Sequence, residues 1–163
     1  MQKILGIALL LLLSSCGVYT FTGADTSGAD TFSVKYFKPQ TTLATPLLSQ
    51  NFTESLKDLV LQQSTLNLSG ADGDLQFEGA IIEYSNNPVS VQSNETASLN
   101  RLQISVKVKY TNIIEQDKSF ERSFTKFADY DSNLDFLSVE ESLVAEITAQ
   151  LTQEIFNASL GNW

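Results

Sequence analysis

Between Arg101 and Tyr110 every second residue is apolar: Leu102, Ile104, Val106, Val108 and Tyr110 alternate with Gln103, Ser105, Lys107 and Lys109. A period of two sends successive side chains to opposite faces, so the pattern predicts an antiparallel strand with one face buried and the other free of helices. The same alternation predicts a strand over 31–37, with Phe32, Val34 and Tyr36 opposite Ser33 and Lys35, and Pro39 helping to end it. A third strand is expected over 74–84. There Leu75, Phe77, Gly79, Ile81 and Glu83 fall on one side and Ala80, Ile82 and Tyr84 on the other, as in a central strand. Gly79 predicts a bulge or a close packing contact. Asn86-Asn87-Pro88 is expected to end this strand, and 89–98 reads as a long connection. After a turn over 112–118, Phe120, Arg122 and Phe124 alternate with Glu121, Ser123 and Thr125 in a fourth strand over 119–127. Phe127 breaks its parity and predicts a bulge there.

Two segments repeat instead at three and four residues. Thr45-Pro46 supplies an N-cap and a first-turn proline, and Leu48, Phe52, Leu56, Leu59, Val60 and Gln63 then follow as one helical stripe. Ser138 and Glu141 have the spacing of a capping box, after which Val139, Leu143, Ile147, Leu151 and Ile155 define a second amphipathic helix running to about Asn157. The order is β-α-β-β-β-α. One βαβ crossover and two hairpin connections make an α+β two-layer sandwich, a mixed four-stranded sheet with two helices on one face.

Upstream of these elements the pattern changes. Lys3 precedes an apolar run from Ile4 to Leu13, and Leu13-Ser14-Ser15-Cys16-Gly17 follows it. A positive start, a short apolar stretch and small residues make a secretory leader, too short to span a bilayer, which needs ~20 residues. The single cysteine placed directly after the small residues is the lipobox pattern, so 1–15 is expected as signal peptide and Cys16 as the acylated first residue of the mature protein. Two or three acyl chains anchor firmly at ~0.8 kcal/mol per buried CH₂. Residues 16–30 then read as a lipidated segment and linker, and 31–163 as one domain. About fourteen residues separate Cys16 from the first strand, a reach of ~50 Å at most, which holds the domain near the membrane.

The chain carries 10 basic and 19 acidic residues and no histidine. Losing Lys3 with the leader takes the formal charge from −9 to −10. An acidic balance argues against nucleic acid and against adsorption to anionic lipid through overall charge. Without histidine, and with the sole thiol consumed by lipidation, Ser-His and Cys nucleophiles and Cys zinc sites are excluded. The expectation is a protein that is not an enzyme and needs no cofactor. Asp129-Tyr130-Asp131-Ser132-Asn133, with Glu140 at the twelfth position, has the opening spacing of a calcium loop, but Leu134 stands where the sharp turn needs glycine. An acidic turn before the last helix is the reading preferred, and no metal is assigned. Asp72 and Asp74 read as ordinary turn residues.

The lipobox running into Cys16-Gly17-Val18-Tyr19-Thr20-Phe21-Thr22-Gly23, the Asn100-Arg101-Leu102 strand entry, and Ile155-Phe156-Asn157 before Asn162-Trp163 resemble the LptE family of LPS-assembly lipoproteins, in the form found in the Bacteroidetes group. The resemblance implies an outer-membrane lipoprotein on the periplasmic side, a complex with the LPS-translocon β-barrel, and help in delivering lipopolysaccharide. No acidic residue follows Cys16 until Asp25, in keeping with the periplasmic side. The alternative is a lipoprotein that binds a soluble ligand or polysaccharide without a barrel.

Six of the basic residues fall within 101–126: Arg101, Lys107, Lys109, Lys118, Arg122 and Lys126. They are candidates for a cationic surface that meets lipid A or core phosphates, Arg101 being suited to bidentate contact. The other reading is a solvated strand face whose charges suppress edge pairing. Tyr19 and Phe21, close to the anchor, are candidates for a barrel or headgroup interface, where an aromatic ring with one wet end is favoured. Trp163 at the far end shares that chemistry.

Overall fold

A computed structural model describes residues 24–89 and 98–161. Cys16, Tyr19, Phe21 and Trp163, with the leader, lie outside the described residues. The chain forms β1 (Thr31–Val34), β2 (Lys38–Pro39), α1 (Pro46–Gln63), β3 (Asn67–Leu68), β4 (Leu75–Val89), β5 (Leu99–Asn112), a 3₁₀ turn (Gln116–Lys118), β6 (Phe120–Asp131) and α2 (Phe136–Leu160). The sheet order is β3-β1-β4-β5-β6, with β2 pairing β4 beyond the end of β1. β1 runs parallel to β3 and β4, and β4, β5 and β6 are antiparallel. The architecture is the expected mixed sheet with two helices, but it has six strands and not four. β2 and β3 are two residues each, too short to carry a period.

Both helices press one contiguous apolar core onto the same sheet face. Leu48, Phe52, Leu56 and Val60 of α1 and Ile147, Leu151 and Ile155 of α2 meet Phe32, Phe77, Ile104, Val106 and Val108. α1 begins as its sequence predicts, with the Thr45 hydroxyl accepting the Leu48 amide at 3.1 Å and Pro46 in the first turn. The buried Thr53 hydroxyl donates to the Ser49 carbonyl at 2.7 Å and accepts the Phe37 amide at 3.1 Å, tying α1 to the segment before it.

The expected first strand breaks after Val34. Phe37 takes the core position and Tyr36 turns outward, 45% exposed, its hydroxyl donating to the Pro46 carbonyl. The capping box does not form. α2 starts a turn early behind Asp135, because Phe136 packs on Tyr130 with ring centroids 5.9 Å apart, and the Ser138 hydroxyl donates to the Asp135 carbonyl. The helix also continues to Leu160, whose carbonyl accepts the Asp25 amide at 2.7 Å beside the Ala24–Gly161 bridge.

Asn86-Asn87-Pro88 does not end its strand. β4 and β5 stay paired to Val89–Leu99, and the Asn86 amide exchanges hydrogen bonds with the Tyr130 hydroxyl. Pairing of β5 with β6 is unbroken from Leu99–Asp131 to Tyr110–Phe120, so Phe127 carries no bulge and simply faces outward while Ala128 and Tyr130 continue the buried set. The bulge lies in β4 at Ile82. One extra residue inverts the alternation. Leu75, Phe77 and Ile81 point inward before it, Tyr84 after it, and Glu83 moves to the outer face instead of sharing Ile81's side. Gly79 supplies the close contact: a Cβ there would collide with the Lys107 carbonyl oxygen and lie 2.7 Å from the Phe37 ring.

Candidate functional site

The sheet face away from the helices is built from the odd-numbered residues of β5 and their neighbours. Arg101 reaches Asp129 through two bonds of 2.6 and 2.8 Å and stacks on Phe127 with its guanidinium 3.6 Å from the ring centre. Beside it, Glu83 accepts Ser105 at 2.8 Å, Gln103 at 2.9 Å and Ser85 at 3.1 Å, and these donors hold its carboxyl below the ordinary glutamate value, Ser105 most of all. Further along, Lys107 pairs with Glu121 at 2.6 Å and Lys109 with Glu78 at 2.7 Å. Lys109 and then Lys35 depress the Glu78 carboxyl, and Lys107 depresses Glu121.

Of the six cations singled out by sequence, Arg101, Lys107 and Lys109 share this face. Lys118 sits in the β5–β6 connection, held by Asp25 and Glu115 at 2.7 Å each. Arg122 lies across Phe120 and Phe124, at 4.3 and 5.2 Å from the ring centres. Lys126 pairs with Glu154 of α2 at 3.0 Å. The six do not converge on one patch, and five of them are matched with carboxylates.

The structure instead gathers four lysines around a shallow recess of about 380 Å³ on the outer face. Lys107 and Lys109 border it from β5, and Lys35 and Lys38 from the β1–β2 stretch, over a floor of Gly79 and Ala80. The low floor follows from sequence at Ala80, whose side chain ends at Cβ on this face, while Gly79 contributes backbone. Glu78 and Glu121 also border the recess, leaving a formal excess of two positive charges among these six groups. Lys38 forms no salt bridge among the described residues; Lys35 reaches Glu78 and Asp72 at 3.4 Å. Sequence reasoning missed Lys35 and Lys38 as site residues. The alternation places Lys35 on the outer face, but the register Lys38–Ala80, which brings Lys38 to the recess, rests on a two-residue parallel pairing.

The calcium-like loop is otherwise engaged. Asp129 holds Arg101, Asp131 accepts the amide and side chain of Asn133, and Glu140 accepts the Tyr84 hydroxyl. Asp74 anchors the start of β1, accepting the Thr31 hydroxyl at 2.7 Å and the Thr31 and Asp30 amides at 3.0 and 3.2 Å, while Asp72 faces Lys35. Among the described residues no group of three metal-ligating side chains occurs, and no helix is long and apolar enough to cross a membrane.

Solved structures of bacterial lipoproteins share this fold. A minor lipoprotein from Acinetobacter baumannii superposes with a TM-score of 0.51 at 14% identity, over 82% of this chain and 97% of that one. The rare lipoprotein B from Shewanella oneidensis superposes with a TM-score of 0.52 at 12% identity, over 78% and 92%. A hypothetical protein from Chlamydia trachomatis gives 0.51 at 11% identity, over 80% and 98%. At such identities the likeness is one of fold. The sequence model of LptE, lipopolysaccharide-assembly, matches residues 29–159, and the chain belongs to that family. The family is non-catalytic. No curated protein matches the sequence.

Proposed function

We propose that this protein is an outer-membrane lipoprotein, anchored on the periplasmic side through acylated Cys16, that joins the LPS-translocon β-barrel and assists lipopolysaccharide transport. The observation that carries this reading is the family match over nearly the whole folded region. The lysine recess supports the lipopolysaccharide part. Exposed pairs such as Lys107–Glu121 and Lys109–Glu78 contribute little to stability and exchange readily for a phosphate partner. Lys35 and Lys38 extend the same surface, and Arg101 lies further along it with its fork on Asp129. Lys118, Arg122 and Lys126 lie apart from the recess and serve as outer contacts of a large polyanionic ligand. Tyr19 and Phe21, near the anchor, are assigned to the barrel or headgroup interface.

Affinity purification through a tag on the mature domain tests the barrel. Co-isolation of one large β-barrel protein is expected, and recovery of the lipoprotein alone favours a soluble ligand or polysaccharide. Charge reversal at Lys107 and Lys109 together with Arg101 is expected to weaken lipopolysaccharide binding at low salt. Unchanged affinity removes this face from the mechanism.

A further inference from the structure

The helical layer carries the opposite character. α1 and α2 lie side by side, joined near the end of α1 by the Gln63 and Gln153 amides at 3.1 Å. Elsewhere between them a groove of about 940 Å³ opens to solvent. Its apolar lining includes Leu43, Leu47 and Leu137, which are 63%, 64% and 77% exposed. Ala145 and Ala149 keep its α2 wall low. Three leucines so exposed border one concave surface where the two helices begin, which sets them apart from singly scattered surface leucines.

Charge decides what fits there. Glu54 and Asp58 border the groove from α1, and Glu140 and Glu141 from α2. No lysine or arginine lines it among the described residues; Lys57 reaches Glu54 from outside at 2.9 Å. Phosphate and other anions are disfavoured beside four carboxylates, so the groove is opposite in formal charge to the lysine recess. A trough between two helices also takes a third helix well, receiving side chains spaced i, i+3, i+4 and i+7.

We propose that the groove between α1 and α2 is a docking site for a cationic amphipathic helix of a protein partner, with its apolar stripe against Leu47 and Leu137 and its basic residues against Asp58 and Glu141. This surface is independent of the lysine recess and of any lipopolysaccharide role.

The test uses the full chain carrying Cys16→Ser, which has no thiol to acylate, and a fluorescent peptide of about 18 residues made of leucine and lysine, with leucines at the helical spacing. Fluorescence anisotropy is expected to show saturable one-site binding that weakens about tenfold or more, some 1.4 kcal/mol, in Leu47→Ser/Leu137→Ser and in Asp58→Asn/Glu141→Gln. A peptide with the same leucines and glutamate for lysine is expected not to bind. Asp117→Asn, far from the groove, is expected to bind as the parent does. Equal binding of the glutamate peptide, undiminished binding by both groove variants, or an equal loss in Asp117→Asn overturns the proposal. The substituted side chains lie on the surface, and matching melting curves separate lost binding from lost folding.

Discussion

Arg101 and Asp129 face each other across β5 and β6, joined by two bonds of 2.6 and 2.8 Å with the Phe127 ring beneath the guanidinium. The arrangement holds the Asp129 carboxyl below the ordinary aspartate value. It also occupies the fork that a phosphate would use. Asp129→Asn keeps the size of the side chain and removes its charge, so the guanidinium is released. Tighter lipopolysaccharide binding at low salt is expected, read by calorimetric titration. Weaker binding would mean that the pair serves only the sheet.

Gly79 lies where β4, β5 and Phe37 meet most closely. Gly79→Ala places a methyl group against the Lys107 carbonyl, a backbone atom that moves only if the sheet does. The expected loss is about 1–3 kcal/mol of unfolding free energy, as for overpacked cores. Urea titration measures it, and a midpoint equal to the parent's would show that β5 yields without cost.

The two helix starts separate a cap that forms from one that does not. Thr45→Ala removes an acceptor of the Leu48 amide and is expected to cost about 1 kcal/mol. Ser138→Ala removes only a bond back to the Asp135 carbonyl, on an exposed turn inside α2, and is expected to be close to neutral. Thermal unfolding of both variants checks the contrast; equal losses would restore the capping box.

Buried Thr53 bridges α1 and Phe37. Thr53→Val keeps the shape and leaves the Phe37 amide without its acceptor, so a loss of about 1–3 kcal/mol is expected in urea titration. A variant as stable as the parent would show that another group takes up that amide.

Stability is expected to fall at both ends of the pH scale for different reasons. Asp74 is lowered from 3.8 by the Thr31 hydroxyl first and then by the Asp30 and Thr31 amides. A carboxyl depressed in the folded state stabilises above its unfolded value, and that contribution is lost as pH falls through the folded value. Asp74→Asn should flatten the acid limb below about pH 4. Tyr110 behaves in the reverse sense. Burial raises its phenol from 10.0 to about 12, so its contribution is full below pH 10 and lost as pH climbs from 10 toward 12. Tyrosinate absorbance that rises ahead of unfolding would contradict this order.

Thr45-Pro46 and the stripe from Leu48 to Val60 are enough to place the start of α1, and strict alternation is enough to give β5 its two faces. Those features are local, since period and cap depend on residues within a turn or two of each other. The family was legible too, in short strings spread along the chain. Other features depend on partners distant in sequence and follow only from packing. Phe136 begins α2 early because Tyr130 is there to pack on, and Lys38 joins the recess because Pro39 and Lys38 pair with β4. The bulge at Ile82 turns Glu83 toward Ser105, which no pattern within β4 announces. The cluster of basic residues over 101–126 was visible as composition, yet strand parity and cross-strand carboxylates distribute it over both faces and the connecting turn. Sequence spacing gives charge density along a chain, whereas charge in space is set by register and by the partner each side chain meets.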